Sequence, residues 1–472
     1  MNNSSKGLKS AGDRFMSSIP TLKEYVSIKC LSPAFDEQWE KNGEINRAME
    51  MYAKWAKECD LSGASVTVSS IPGRTPALIV DIPGSSDSTG TVLIYGHLDK
   101  QPATAPWYND TDPFEAVERD DLIFGRGVAD DGYAMFAAIA GVSAALEEGL
   151  ETPRCVVLIE SSEESGSPDL DSHLDVLLPK LGTVDLVLCL DSGGLDFERL
   201  WVTTSLRGNI VFTIEVRVLE HGVHSGSASG VVPSSFRVLR ELMSRLEDET
   251  TGELRLDMLN PEIPKFYKNK AAELAQELGD PLSLAFPLVG DVKPLGTDGA
   301  DRILRQTWKG ALSVTGMEGI PNVRQGGNVL RPYTKAKLSL RLPPTVDARS
   351  AQDEIAERLT TDVPYGASVI VEFESPAQGW VAPIPLKWLS DALDAGSIEG
   401  FGKPAGYCGE GGTIPFLATL ASKFPDAQFV ATGALGPGSN AHGPDESLCI
   451  PTAKGVAIAV AHLITAAAKS NS

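Results

Sequence analysis

Cysteine and histidine are both scarce in this chain, which has six of each among 472 residues. The cysteines are scattered without a Cys-x-x-Cys pair, and three lie in or beside apolar runs, as is typical of buried thiols in a reducing compartment. No Gly-x-Ser-x-Gly elbow occurs, which disfavours a serine hydrolase.

Positive charge and long apolar runs are also lacking. The formal net charge of -22 argues against nucleic acid or an anionic membrane as a partner. The longest candidate membrane span, residues 456–468, contains His462 and is too short to cross a bilayer. Residues 1–14 are polar and lack the apolar core of a secretory signal. We therefore expect a cytoplasmic protein.

The length and the apolar patterning predict an α/β protein with two domains. Continuous apolar runs, typical of buried parallel strands, occur at residues 92–94, 155–159, 186–190 and 428–433. Helical spacing predicts helices over residues 21–30, 45–59 and 135–150, whereas residues 1–17 are expected to be frayed. Beyond residue 208 the strands alternate between apolar and polar residues, which indicates antiparallel strands in a smaller inserted domain.

Each of the four apolar runs is followed by histidine or carboxylate side chains. In chain order these are His97, Asp99, Glu163, Glu164, Asp191 and His442. Asp130 joins them at the start of a helix, after a glycine-rich loop. Any one of these residues alone could be a loop acid, a satisfied histidine or a helix cap. Their recurrence is what a metal site at the carboxyl edge of one sheet would produce.

A dinuclear zinc centre uses a bridging carboxylate, with histidine and carboxylate ligands on each metal. The sequence offers a set of this composition in His97, Asp130, Glu164, Asp191 and His442. Glu163 adjoins one of these residues and could take a proton from an activated water and pass it to a leaving amine. Asp99 lies two residues after His97, from where its carboxylate can hold one imidazole nitrogen and leave the other for a metal.

A series of short motifs spans nearly the whole chain. In order they are Gly96-His97-Leu98-Asp99, Trp107 with Asp112-Pro113-Phe114, Gly125-Arg126-Gly127 through Asp130-Asp131-Gly132, Glu163-Glu164-Ser165-Gly166-Ser167, Arg207-Gly208, His224-Ser225-Gly226, Gly409 to Pro415, and His442-Gly443-Pro444-Asp445-Glu446. The set resembles the aminoacylase/carnosinase metallopeptidase family, which includes acetylornithine deacetylase, succinyl-diaminopimelate desuccinylase and glutamate carboxypeptidases. Within it, the chain is most similar to the branch of carnosine and cytosolic nonspecific dipeptidases.

This resemblance implies a zinc-exopeptidase-like α/β catalytic domain with a mainly parallel central sheet, formed by residues 1–204 and 384–472. Residues 205–383 would form an inserted, smaller α/β domain that serves as lid and dimerisation domain. Two divalent metal ions would be bound. Zinc is the expected metal, with manganese or cobalt as alternatives. One metal would be held by His97 and Asp191 and the other by Glu164 and His442, with Asp130 as the bridge.

The resemblance implies further roles for side chains near these ligands. Glu163 would act as general base and then acid, and Asp99 would orient His97. His224 would polarise the substrate carbonyl, and Arg341 would bind the substrate carboxylate, with Gly412 and Thr413 as further substrate contacts. A cis peptide bond is expected between Asp130 and Asp131. Without the resemblance, His224 could be a turn histidine and Arg341 a solvated side chain on the outer face of its strand.

The implied reaction is hydrolysis of the amide bond of dipeptides by a water that bridges two zinc ions. The same site could instead remove the acyl group from N-acyl amino acids. A catalytically silent binding protein is disfavoured, because every ligand and base position is present. A homodimer is also expected, because the apolar-faced strand at residues 209–218 would leave a free edge for pairing with a second copy. The resemblance points to a dimer as well, and it implies that His224 would complete the site of the partner.

Overall fold

The computed structural model describes residues 8–85, 90–103, 106–108, 110–283, 286 and 288–470. Contacts divide the chain into two units. Unit 1 comprises Met1–Thr204, Ala382–Cys408 and Thr419–Ser472, and unit 2 comprises Ser205–Val381 and Gly409–Ala418. The segment Gly409–Ala418 thus groups with unit 2, whereas the sequence analysis places it in the domain formed by residues 1–204 and 384–472.

Strands and helices alternate along much of the chain. The strands are β1 (Ser65–Ser69), β2 (Ala77–Ile82), β3 (Gly90–His97), β4 (Val117–Arg119), β5 (Leu122–Phe124), β6 (Arg154–Glu160), β7 (Thr183–Cys189), β8 (Trp201–Leu206), β9 (Gly208–Arg217), β10 (Val223–His224), β11 (Ala311–Glu318), β12 (Val329–Leu330), β13 (Tyr333–Leu342), β14 (Ser368–Phe373), β15 (Trp380–Val381), β16 (Gly406–Glu410), β17 (Gln428–Ala431) and β18 (Ser447–Cys449). The α-helices are α1 (Ser10–Val26), α2 (Trp39–Asn42), α3 (Glu44–Glu58), α4 (Ala134–Glu147), α5 (Leu170–Leu181), α6 (Ser225–Ala228), α7 (Ser235–Met243), α8 (Lys265–Leu278), α9 (Gly299–Thr307), α10 (Ala348–Thr360), α11 (Lys387–Phe401), α12 (Pro415–Lys423) and α13 (Ile450–Ser470).

Unit 1 is organised around a mixed sheet with the strand order β1-β2-β6-β3-β7-β17-β8. The four central strands β6, β3, β7 and β17 are parallel to one another. The flanking strands are antiparallel: β1 pairs with β2, β2 with β6, and β8 with β17. Strand β3 is buried along its whole length. The predicted α/β class with a mainly parallel centre is therefore confirmed. Because parallel strands end at the same edge, the polar residues that follow these four strands meet there.

The helices at the two ends of the chain differ from the sequence prediction. Helix α1 begins at Ser10, so the expectation that residues 10–17 are frayed is wrong. Ala11, Phe15 and Ile19 recur at helical spacing and are buried, which fastens this helix to the core of unit 1. Helix α13 has 21 residues and is long and apolar enough to cross a membrane, but 78% of its apolar window is buried inside the protein.

Unit 2 contains an antiparallel sheet with the strand order β11-β13-β9-β14. The apolar residues of β9 and β13 are buried on one face, together with residues of α7 and α10, which confirms the predicted alternation. Strand β9 pairs with β13 on one side and with β14 on the other. The expected free edge of this strand is therefore wrong. Alternation indicates which face of a strand is buried, but it does not identify the neighbouring strands.

Candidate functional site

His97 is the last residue of β3, and its side chain is fully buried. The preceding residue has to be glycine, because a Cβ on Gly96 would lie 2.7 Å from Oδ2 of Asp131. This close approach lets Asp131 accept the backbone N–H of His97 at 3.2 Å. The Nδ1 of His97 donates to the backbone carbonyl of Asp99 at 3.1 Å and lies 3.5 Å from its carboxylate. The Nε2 atom is consequently left for other acids.

Asp130 lies between two histidines that come from distant parts of the chain. Its Oδ1 is 3.2 Å from Nε2 of His97, and its Oδ2 is 3.0 Å from Nε2 of His442. The peptide bond between Asp130 and Asp131 is cis, as expected. A carboxylate whose two oxygens face different imidazoles has the arrangement of a bridging ligand.

The remaining predicted ligands complete two groups of donor atoms. Oε2 of Glu164 is 3.3 Å from Nε2 of His442, and Oδ2 of Asp191 is 3.7 Å from Nε2 of His97. In each group one donor atom per residue lies within 4.8 Å of the others; the groups are His97, Asp130 and Asp191, and Asp130, Glu164 and His442. The structure brings all five residues together, and Asp130 belongs to both groups.

Glu163 and Glu164 lie on a short helical turn, Glu163–Ser165, directly after β6. Oε2 of Glu163 is 4.0 Å from Nε2 of His97, so this carboxylate faces the same cluster. The Asp99 carboxylate accepts the backbone N–H of Glu163 at 3.1 Å and that of Glu164 at 3.0 Å. The Gln101 amide donates to Glu164 at 2.7 Å. Sequence reasoning missed Gln101, although its place two residues after Asp99 was a usable signal.

Electrostatics within the cluster favour protonated histidines when no cation is bound. Burial by itself lowers the pKa of His97, but the hydrogen bonds to Asp130 and Asp99 outweigh it and raise that pKa well above its usual value. Hydrogen bonds to Asp130 and then to Glu164 raise the pKa of His442 to about 10, against a smaller effect of burial. Both imidazoles therefore occupy positions where positive charge is stabilised.

The carboxylates divide into two kinds. Burial would raise the pKa of Asp130, but the hydrogen bonds to His442 and His97 hold it below its usual value. Burial, followed by the nearby charge of Asp191, raises the pKa of Glu163 well above its usual value. A largely shielded carboxyl group with a raised pKa is suited to taking up and releasing a proton, whereas Asp130 is suited to remaining an anion.

Unit 2 holds the other predicted site residues. Nη1 of Arg341 donates to the hydroxyl of Thr413 at 2.9 Å, and that hydroxyl donates to the carbonyl of Arg207 at 2.6 Å. Arg341 is half-buried, although it lies on the polar face of β13. Gly412 is exposed beside Thr413, and His224 is exposed on β10. Sequence reasoning assigned no role to Arg207, whose Nε holds the Gly411 carbonyl at 3.1 Å.

The chemistry of the donor set fits divalent metal ions. Imidazole nitrogens and carboxylate oxygens are ligands that zinc accepts in catalytic sites. Each group contains one histidine and two carboxylates, and Asp130 is common to both groups. The second nitrogen of His97 is held by Asp99, which leaves Nε2 as the donor. Repulsion among the clustered acids would be relieved by bound cations.

Comparisons with known proteins agree with this site. The cysteinylglycine-S-conjugate dipeptidase of Corynebacterium striatum is 29% identical over 387 residues, which cover 79% of this chain and 80% of the relative. The human Beta-Ala-His dipeptidase is 27% identical over 362 residues, which cover 72% of this chain and 68% of the relative.

Solved structures match over almost the whole chain. Human carnosine dipeptidase 1 has a TM-score of 0.75 at 22% identity, and the dipeptidase Dug1p of Saccharomyces cerevisiae has a TM-score of 0.72 at 22% identity. Each match covers 98% of both chains, which shows a shared fold. Residues 93–466 match the sequence model of the family described as "Peptidase family M20/M25/M40". Because that match covers most of the 472 residues, this chain belongs to peptidase family M20/M25/M40 and is a peptidase.

Proposed function

We propose that this chain is a metal-dependent dipeptidase that uses two divalent ions, zinc in the first place. The main support is the position of Asp130, whose two carboxylate oxygens lie 3.2 Å from Nε2 of His97 and 3.0 Å from Nε2 of His442. The relatives named above are dipeptidases acting on cysteinylglycine conjugates and on Beta-Ala-His. Their names support small dipeptides as the substrate class.

The ligand assignment follows the two groups of donor atoms. We propose that His97 and Asp191 bind one metal, that Glu164 and His442 bind the other, and that Asp130 bridges them. When bound there, the two ions would act as Lewis acids, which polarise the peptide carbonyl and lower the pKa of a water molecule. Manganese or cobalt would suit the same nitrogen and oxygen donors.

Glu163 is the proposed proton carrier. Its side chain is 13% exposed, and its Oε2 lies 4.0 Å from Nε2 of His97, yet Glu163 is not a member of either group of donor atoms. The raised pKa lets this group accept a proton from the attacking water and deliver it to the leaving amine. Asp99 supports this step, because it holds the backbone of Glu163 and Glu164 in place.

Unit 2 would supply the substrate-binding residues. We assign Arg341 to the terminal carboxylate of the substrate, since guanidinium binds carboxylate through two parallel hydrogen bonds. Thr413 fixes one nitrogen of this guanidinium, and Gly412 leaves its backbone open to the substrate. His224 is assigned to the polarisation of the scissile carbonyl. In this scheme unit 1 is the catalytic domain and unit 2 the lid and dimerisation domain.

A cytoplasmic homodimer is part of the proposal. Among the described residues, β11 pairs only with β13, so it forms an outer edge of the unit 2 sheet. Val314 and Met317 on β11 are 47% and 46% exposed, and an apolar edge strand favours pairing with a second copy. This edge replaces the β9 edge expected from the sequence. His224 would then act in the site of the partner.

A substrate panel tests the proposed function. Metal-free protein is reloaded with zinc, manganese or cobalt and assayed on dipeptides, on N-acyl amino acids and on dipeptide amides. We expect metal-dependent turnover of free dipeptides, with weaker turnover of the other two classes. Preferential cleavage of N-acyl amino acids would replace the dipeptidase proposal by a deacylase. Full dipeptidase activity in the metal-free protein would overturn the metal dependence.

A further inference from the structure

Arg126 and Glu446 form an ion pair that is shielded from solvent, with side-chain exposures of 1% and 0%. The two residues are 320 positions apart, and Nη1 of Arg126 donates to Oε2 of Glu446 at 2.6 Å. Charges this deeply buried are retained only where further hydrogen bonds satisfy them. Neither residue belongs to the two groups of candidate metal ligands, so the proposed reaction does not use them directly.

The Glu446 carboxylate is a fourfold acceptor for the loop that carries Asp130. Oε2 also accepts the backbone N–H of Gly127 at 3.0 Å. Oε1 accepts the backbone N–H of Ala129 at 3.1 Å and of Asp130 itself at 3.2 Å. A single carboxylate therefore holds three amides in the four residues that lead to the bridging position.

The same pair also reaches the loop that carries His442. Nη2 of Arg126 donates to the carbonyl of Gly443 at 2.7 Å, and Glu446 itself follows His442 by four residues. The φ angles of Asn440, His442 and Asp445 are 52°, 64° and 57°, in the left-handed region that non-glycine residues rarely adopt. Such a loop keeps its shape only if surrounding contacts hold it.

We propose that Glu446 is a positioning residue, aligned by Arg126, that sets the distance between Asp130 and His442. This inference rests on the proposed two-metal function. The group Asp130, Glu164 and His442 depends on the pair for two of its three residues. The group His97, Asp130 and Asp191 depends on it for one. Loss of the pair therefore weakens the metal at His442 more than the metal at His97.

The test compares zinc binding of four full-length proteins: wild type, Glu446→Gln, Arg126→Lys and the control Asp81→Asn. Glu446→Gln keeps the size of the side chain but replaces one acceptor oxygen by an NH2 group that cannot accept the loop amides. Asp81→Asn is the matched control, because it breaks the two-pronged pair with Arg154, at 2.8 and 2.7 Å, outside the cluster. Metal-free proteins are titrated with Zn²⁺ against a chelator of known affinity, well below their unfolding temperatures, and bound zinc is counted.

We expect wild type and Asp81→Asn to bind two zinc ions with equal affinities. Glu446→Gln should bind the ion at Glu164 and His442 about 10- to 100-fold less tightly, the range seen when an outer partner of a metal ligand is lost. Arg126→Lys offers a gentler variant, since lysine cannot reach Glu446 and the Gly443 carbonyl together. It should weaken the same ion by a smaller factor.

Wild-type affinity for both ions in folded Glu446→Gln and Arg126→Lys would overturn the inference. Equal weakening of both ions would also overturn it, because the pair would then act on Asp130 alone. If Asp81→Asn lost zinc to the same degree, the effect would be a general consequence of lost stability. A wild type that binds one zinc ion would overturn the two-metal proposal, and the inference with it.

Discussion

The carboxylate of Asp99 accepts the backbone N–H of Glu164 at 3.0 Å, which links the end of β3 to the turn after β6. Its other oxygen accepts the N–H of Glu163 at 3.1 Å, while the backbone carbonyl of Asp99 holds Nδ1 of His97. One aspartate thus orients a histidine ligand candidate and the turn that carries both glutamates. Asp99 therefore connects the carboxyl ends of the adjacent parallel strands β3 and β6, beside the cluster of candidate metal ligands.

Asp99→Ala should weaken zinc binding without unfolding the protein. The backbone of Glu163 and Glu164 would lose its acceptor, so both glutamate side chains would be less well positioned, and metal affinity should fall by about 10- to 100-fold. Zinc titration measures this. Asp248→Ala is the control, because Asp248 caps the N–H groups of Thr250 and Thr251 in unit 2 in a similar way. Unchanged zinc affinity in Asp99→Ala would contradict the role given to the turn.

Glu163→Gln should keep both metals and lose nearly all turnover. The side chain faces His97 but is in neither donor group, and removal of a general base typically lowers the rate by about 10²- to 10⁴-fold. Elemental analysis and steady-state kinetics on the same preparation measure the two quantities. A missing metal in this variant would make Glu163 a ligand and would refute its assignment as the base.

Zinc binding should release protons at neutral pH. The carboxylates raise the pKa of His442 to about 10 in the metal-free site, so its imidazole carries a proton that zinc has to displace. Zinc affinity should consequently increase as the pH rises from 6 towards about 10. Calorimetry in buffers of different ionisation enthalpy counts the protons. Zinc affinity that is independent of pH over this range would be incompatible with His442 as a ligand.

Arg341→Ala should raise KM for dipeptides with a free carboxylate. Each hydrogen bond to a charged group that is lost costs roughly 1.5–3 kcal/mol, so the loss of even one of the two lowers affinity by about ten- to 150-fold. Dipeptide amides should be poor substrates of the wild type and should lose little more. Arg217→Ala on the neighbouring strand removes an exposed guanidinium and serves as the control. Equal losses for free acids and amides would remove Arg341 from the carboxylate site.

Mixing two inactive variants should restore activity if His224 acts in the partner. Glu163→Gln lacks the base, and His224→Ala lacks the carbonyl-polarising group. A mixed dimer would combine one intact metal site with an intact His224 from its neighbour. The variants are combined under conditions in which subunit exchange is demonstrated by a mass tag. Exchange without recovery of activity would assign His224 to its own chain, and a monomer by sedimentation would remove the dimer from the proposal.

Local patterns were sufficient to locate the strands that carry the cluster. The runs at residues 92–94, 155–159, 186–190 and 428–433 became the central parallel strands β3, β6, β7 and β17. Continuous burial of a strand on both faces requires a continuous apolar run, so this class of strand is visible in the sequence. Since parallel strands end at one edge, the convergence of His97 and Asp191 could be inferred before their distance was known.

Features that depend on contacts between distant residues were missed or wrongly predicted from the sequence. The strand at residues 209–218 has a clear apolar face, yet its partners β13 and β14 come from much later residues, and the inferred free edge was wrong. The start of α1 was hidden by serine and glycine, although Phe15 is buried. In both cases, contacts with distant parts of the chain decided the outcome.

The sequence by itself determined the fold class, the family and the residue types available for chemistry, because periodicity and motifs are properties of neighbouring residues. Only the tertiary structure gave the distances from Asp130 to His97 and His442, and only it decided that Gln101 holds Glu164 and that Arg126 pairs with Glu446. Hydrogen bonds and charge pairs require atoms within about 3 Å. Residues hundreds of positions apart reach that distance only after the sheet has assembled and the chain has returned to it.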